Sequence, residues 1–315
     1  MINNSFILFS LIIIYIINII YSSNQRAYKP VVGLYGNTYP ENDYTNFNKT
    51  FYVMAYIRWL ESFGAEVMAI HNWYSESEIE KILNKVNGVL FMGGGRDFNL
   101  TTNWEIKAKF ILNFALNNNL PVYGTCMGFQ LIHVLFGEDE KILSKNKYDD
   151  MGVEHNLILV KGIPQKLFSL FEEKELDIVE NNPSTVYFHH DGIDKNDYSK
   201  NKFLNKIFYL SSIARDKKLN FFTNTIEGKN SKIYGSQFHP EKVPYIRTKN
   251  YALNHSMDSL VVSQLIGLYF VEECRKNENR FDESEREKYD FFNTYKNNSK
   301  FVYNYDEEYF YSEKK

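Results

Sequence analysis

Cysteine is scarce: two residues, Cys126 and Cys274, in a chain of 315. One disulfide is the most they could form, so the fold must rest on its apolar core rather than on covalent staples. Long basic runs are also missing. With 36 Lys and Arg against 39 Asp and Glu, the net charge is −3, which excludes nucleic acid as the expected partner. No Cys, His or Asp cluster has metal-ligand spacing, and no glycine-rich phosphate loop ends in Lys-Ser or Lys-Thr. The expected chemistry needs neither metal nor cofactor. Internal repeats are absent, and no linker is long enough to separate a second independent domain.

What is present begins with an apolar run. Phe6 to Ile20 is broken only by Ser10 and Asn18, and Tyr21-Ser-Ser-Asn24 follows with small and polar residues. That pattern reads as a signal peptide over 1–24, with the working domain over 25–315. Met1-Ile-Asn-Asn4 carries no positive side chain, so a short signal anchor stays open as the alternative. With the signal cleaved, no membrane span remains. Asn48, Asn99, Asn254 and Asn297 each open an Asn-x-Ser/Thr sequon, usable as glycosylation sites in the secretory pathway.

After residue 28 the chain alternates buried-strand and helix patterns. Strands are expected at 29–35, 66–70 and 88–92; helices at 51–63, 75–86 and 104–116. This alternation indicates an α/β fold around a mostly parallel sheet. Further on the texture becomes antiparallel, with strands expected at 153–160, 176–180, 185–189 and 219–225. A buried strand then returns at 232–238, before a long helix at 257–274. The apolar faces of 53–59 and of that last helix suit either a core or a homodimer interface. Residues 276–315 form a charged, aromatic tail.

Three features carry chemistry. Pro121-Val-Tyr-Gly-Thr-Cys-Met-Gly-Phe-Gln130 has the grammar of a nucleophile elbow: buried strand, glycine-flanked turn, helix. It would present Cys126 at a helix N-terminus, where a thiolate is favoured. A disulfide to Cys274 would consume that nucleophile, so Cys274 is expected to be an unpaired thiol. Second, His239-Pro-Glu241 follows a buried strand, and residues two apart in extended chain face the same side. Glu241 could then orient His239, which would act as general base and acid. Third, Gly93-Gly94-Gly95 closes another strand, and its N–H groups with that of Met127 could form an oxyanion hole. Strand ends of a parallel sheet share one rim, where the three can meet. His133, about two turns along the elbow helix, reads as a packing residue, and His190 should point away from its neighbour His189.

These residues resemble class I glutamine amidotransferase-like hydrolases, and within them the gamma-glutamyl hydrolase (folylpolyglutamate hydrolase) family. Gly124-Thr-Cys-Met-Gly-Phe-Gln130 and His239-Pro-Glu241 match the general pattern. Tyr52 to Ala65, Gly88 to Gly95, Tyr123 to Phe129 and Tyr234 to Lys242 look like the hydrolases specifically, and the likeness spans nearly the whole mature chain. It implies a flavodoxin-like sandwich: a central, mostly parallel sheet, helices on both faces, and a smaller antiparallel region. It also implies a secreted, lysosomal or vacuolar enzyme cleaving folate and antifolate polyglutamates. On this likeness Cys126 is nucleophile, His239 general base and acid, and Glu241 its orienter. Gly94 and Met127 would supply the oxyanion N–H groups, and His189, Gln130 and Lys242 would meet substrate. Two positions depart from the pattern. Gln130 stands where the hydrolases carry Glu and the amidotransferases Gln, and Met92 stands where many relatives have Pro. Two rival readings follow: a glutaminase-type amidotransferase, or a non-catalytic binding protein of the same fold.

Overall fold

The computed structural model describes residues 29–38, 49–247, 251, 253–292, 300–303 and 308–313. The expected signal segment and the sequons at Asn48 and Asn297 lie outside the described residues. Eight strands form the main sheet, in the order Glu66–Ile70, Val31–Tyr35, Gly88–Phe91, Val122–Thr125, Ile233–Ser236, Phe221–Gly228, Phe208–Arg215 and Ile158–Leu159. The first five run parallel, and the remaining three join antiparallel. The fold class expected from the sequence is therefore the one observed.

Continuous apolar runs form the parallel strands because both sheet faces are covered. Side chains alternate between two cores. Leu34, Leu90, Tyr123 and Tyr234 enter one with Trp59 and Phe270, whereas Tyr35, Phe91, Val122 and Ile233 enter the other with Trp104 and Phe129. Helices Met54–Glu61 and Met257–Arg275 thus cover one face, and Glu76–Leu83, Asn103–Asn118 and Met127–Gly137 the other. The apolar face of 53–59 is core. Trp59 donates to the Ser263 carbonyl at 3.3 Å, and a side chain at Gly267 would strike Trp59 at 2.8 Å and Phe63 at 2.3 Å.

Several local expectations are corrected. Lys49–Val53 is a strand preceding the first helix, pairing with Asn37–Thr38 and Glu308–Glu313. Residues 176–180 belong to a helix, Glu173–Asn181. Leu176 and Ile178 mimic strand alternation across Asp177, but the Glu172 N–H is capped by Glu175 at 3.1 Å, and this start favours a helix. Residues 153–160 divide between two strands, Asp150–His155 and Ile158–Leu159. Only the second joins the main sheet; the first pairs with Thr185–His189. Phe208–Arg215 is a further strand, outside those expected from the sequence.

The described start of the tail, residues 276–292, is a strap across the outer edge of Glu66–Ile70. The Asp290 carbonyl accepts from the Ala69 N–H at 2.9 Å, and Phe291 bridges Met68. Arg286 pairs with Glu66, His71 donates to Asp290, each at 2.7 Å, and Lys85 pairs with Glu285.

Candidate active site

Three adjacent parallel strands end on the same rim, and each delivers one feature. Gly88–Phe91 runs into the glycines, Val122–Thr125 into Cys126, and Ile233–Ser236 into His239. Cys126 adopts φ 50° and ψ −107°, a conformation uncommon for a residue with a side chain. Such strain persists where the surroundings over-determine it. Here the Cys126 N–H is held by the Ser236 carbonyl at 2.8 Å, and its own carbonyl accepts from Gln130 at 2.9 Å. Glycines let the helix descend onto the strand. A Cβ at Gly128 would lie 2.3 Å from the Phe91 carbonyl oxygen, and one at Gly124 2.7 Å from that of Gly128.

Glu241 is wholly buried and accepts from His239 Nδ1 at 2.7 Å. This pairing is made across a turn, since Glu241 has helical backbone angles and directly precedes the short helix Lys242–Tyr245; the extended geometry expected from the sequence is not what joins them. His239 is pinned by the Val186 carbonyl, which accepts its N–H at 2.8 Å. A methyl placed at Gly93 would meet His239 Cε1 at 2.7 Å and Cys126 Cβ at 3.4 Å, so the two side chains converge above that glycine. With Nδ1 occupied, Nε2 is the imidazole atom left for Cys126, and it is buried without a closed hydrogen bond. Burial acts to depress the His239 pKa, but the charges of Glu241 and Cys126 outweigh it and push it to about 9.

Met127 is the first residue of its helix, so its N–H has no intrahelical acceptor. Gly93 donates its N–H to the Tyr56 hydroxyl at 2.8 Å. Gly94, whose N–H bonds nothing among the described residues, lies under the Met127 side chain; a Cβ at this glycine would stand 2.9 Å from Met127 Cε. The rim thus brings Cys126, His239, Glu241, Gly94 and Met127 together.

The three expected substrate contacts fare differently. Lys242 lies 5.1 Å from the centre of the Phe188 ring, which itself stands against His239. Gln130 is nearly buried, and its Nε2 donates to the Asp191 carbonyl at 2.7 Å and to Gln237 Oε1 at 3.2 Å. His189 turns the other way from Phe188 and packs against Phe222 and Tyr148. Its Nδ1 donates to the same Asp191 carbonyl at 2.9 Å, which leaves Nε2 3.6 Å from Asp150. Burial pushes the His189 pKa down to about 3, so the ring is neutral and joins the site through a shared carbonyl. His133 is fully buried, donating to the Phe129 carbonyl at 2.8 Å, while His190 is exposed.

Two neighbours of the site were not among the expected residues. Tyr56, legible only as an apolar helix position, puts its hydroxyl 3.4 Å from His239 Nδ1. Burial and the charges of Glu241 and Cys126 raise its pKa well above the tyrosine range, so it keeps its proton. Gln237 donates to Cys126 Sγ at 3.6 Å; its place two residues before His239, just past the strand Ile233–Ser236, was the available signal. Both cysteines are free and buried. Among the described residues, no group of three or more His, Cys, Asp or Glu is arranged to hold a metal ion, and no helix is long and apolar enough to cross a membrane.

A sharply turned cysteine at a helix start, with a carboxylate-paired histidine on the next strand, is an arrangement for acyl transfer. Residues 48–258 match the family described as glutamine amidotransferase class-I. This is more than half of the chain, which belongs to that family. Among its curated relatives, the chain is 28% identical to gamma-glutamyl hydrolase B of Dictyostelium discoideum, over 88% of this chain and 82% of that one. The human gamma-glutamyl hydrolase is likewise 28% identical, over 84% of each chain. In Arabidopsis thaliana, gamma-glutamyl hydrolase 1 is 28% identical over 80% of this chain and 74% of that one. Solved structures share the fold. The glutaminase domain of Trypanosoma brucei CTPS with bound acivicin superposes with a TM-score of 0.52 at 11% identity, covering 81% of this chain and 98% of that one. A putative GMP synthase subunit from Thermoplasma acidophilum gives 0.50 at 17% identity, over 79% and 95%.

Proposed function

We propose that this protein is a cysteine-type gamma-glutamyl hydrolase, an omega peptidase that shortens folate and antifolate polyglutamates. The observation that carries the reading is the convergence of strained Cys126 with the His239–Glu241 pair at adjacent strand ends. The hydrolase names of relatives along most of the chain support the substrate class. In the proposed reaction, Cys126 Sγ attacks the gamma-glutamyl carbonyl carbon while His239 holds the thiol proton. The N–H groups of Gly94 and Met127 receive the oxyanion as the tetrahedral intermediate forms. His239 Nε2 then gives its proton to the leaving amine as the C–N bond breaks, leaving a glutamyl thioester. Water, deprotonated by His239, attacks the thioester; the proton returns to sulfur and free carboxylate departs.

Lys242, at the cleft beside Phe188, is suited to a substrate carboxylate. Gln130 can accept from the substrate ammonium through Oε1, because its Nε2 is engaged within the protein, and His189 supports that end of the site. We further propose cleavage of the 1–24 signal and function in the secretory pathway, in the extracellular space or in the lumen of a lysosome or vacuole. Of the candidate glycosylation sites, Asn99 is exposed and Asn254 partly so. The substrate would be a small molecule, and the protein could work as a monomer or homodimer.

Gln130 also favours a second reading, glutaminase chemistry, since it matches the amidotransferase pattern at this position. The test uses wild type and Cys126→Ala with pteroyl-polyglutamate and, separately, with glutamine. Cys126-dependent shortening of the polyglutamate with little ammonia from glutamine is the expected outcome, and product length tells endo from exo cleavage. Ammonia release alone would transfer the protein to the glutaminase reading; no turnover of either substrate would overturn both.

A further inference from the structure

Gln130, Gln237 and Cys126 form a line of side chains whose polarity is set from one end. The Asp191 carbonyl can only accept, so the Gln130 atom 2.7 Å from it must be the amide nitrogen. That NH2 group also lies 3.2 Å from Gln237, so the atom of Gln237 that faces it must be the carbonyl oxygen. The Gln237 nitrogen is then turned to Cys126 Sγ, 3.6 Å away. Gln237 is fully buried and Gln130 nearly so.

We infer that Gln130 is a positioning residue for the nucleophile: by donating to Gln237 Oε1 it holds the Gln237 N–H on Cys126 Sγ, where it stabilises negative charge on the sulfur. This rests on the reading of Cys126 as the nucleophile and adds a role for residue 130 that requires no contact with substrate. A glutamate at 130 would reverse the line. Its carboxylate cannot donate to either the Asp191 carbonyl or Gln237 Oε1, so Gln237 would turn its nitrogen toward residue 130 and present its oxygen to the sulfur, repelling a thiolate.

The test is the rate of Cys126 alkylation by iodoacetamide, followed by mass spectrometry, for wild type, Gln130→Glu, Gln237→Leu and the double variant. No substrate is involved. At neutral pH each single variant is expected to react about tenfold more slowly, the effect of losing one hydrogen bond to a charged group. The double variant is expected to react no more slowly than Gln237→Leu alone, because residue 130 acts through residue 237. The gap between wild type and Gln130→Glu should also narrow as the pH falls toward about 4.3, the ordinary glutamate value, where the carboxyl regains a donor. Circular dichroism verifies folding, and Gln130→Met, which removes the donor without adding charge, should slow alkylation about threefold. Unchanged alkylation in a folded Gln130→Glu, or multiplicative losses in the double variant, would overturn the inference. A wild-type Cys126 that does not react, beside a protein that still hydrolyses polyglutamate, would overturn the nucleophile assignment instead.

Discussion

On the parallel side of the main sheet, polar groups cluster at strand ends and are paired for charge. His239 there is buried against a carboxylate and a cysteine, and its pKa is pushed to about 9. In the separate antiparallel pair of Asp150–His155 and Thr185–His189, His189 is as deeply buried, but its Nδ1 meets a carbonyl and burial dominates, taking the pKa to about 3. The same residue type is therefore charged in one region and neutral in the other at pH 7. Burial does not decide the state of a histidine; the group that receives its proton does. The parallel strands offer chemistry and the separate antiparallel pair offers shape, holding His239 in place through the Val186 carbonyl.

The sharpest way to break this contrast is to remove the reactive groups. Cys126→Ala or His239→Ala should lower polyglutamate hydrolysis by roughly 10⁴-fold, measured by chromatography. By calorimetry the thermal midpoint should stay near that of wild type for Cys126→Ala but fall for His239→Ala, which leaves Glu241 buried without its partner. Next in size is Gly128→Ala. Its methyl would press on backbone at Phe91, and a loss of about 3 kcal/mol in urea unfolding is expected.

Stability against pH then separates the two histidines. His239 has its folded pKa above the unfolded 6.5, so its contribution is complete below about 6.5 and is lost as the pH rises to about 9. His189 has its folded pKa below 6.5, so stability falls as the pH drops from about 6.5 toward about 3. Urea unfolding across this range should show a decline on both flanks. Glu241→Gln should flatten the alkaline flank and leave the acid one. Smallest is Ser75→Ala, at the exposed N-terminus of the helix Glu76–Leu83. Ser75 accepts from the Glu78 N–H at 3.3 Å and Glu78 caps in return at 2.7 Å, and losing this cap should cost about 1 kcal/mol with activity unchanged.

The same division explains what could be read from the chain. Parallel strands buried on both faces are short apolar runs, and each ends in residues whose chemistry is conspicuous: Gly93, Cys126, His239. Their meeting on one rim follows from parallel topology. On the antiparallel side the pattern was ambiguous. Leu176-Asp177-Ile178 alternates like a strand yet lies in a helix, and Phe208–Arg215 follows Lys202–Ile207 with no glycine or proline between strand and helix. The local cap between Glu172 and Glu175 decided the first, and pairing with the neighbouring strand Phe221–Gly228 the second. Gln130 was legible by position in its motif, but not its hydrogen bonds to Asp191 and Gln237, which come from 61 and 107 residues away. The turn that joins His239 to Glu241 was also beyond a period-two argument.

The strap has a consequence for how the molecule is made. Glu66 leaves the ribosome 220 residues before Arg286, its partner in the strap. At about 5–20 residues per second this is a wait of tens of seconds. Until then the outer edge of Glu66–Ile70 has no covering for the amides that Asp290 and Phe291 later engage, and an uncovered edge is a template for pairing with other chains. Synthesis, rather than the finished fold, is therefore when this protein is most exposed to misassembly, and a nascent chain stalled before residue 276 would carry an open edge.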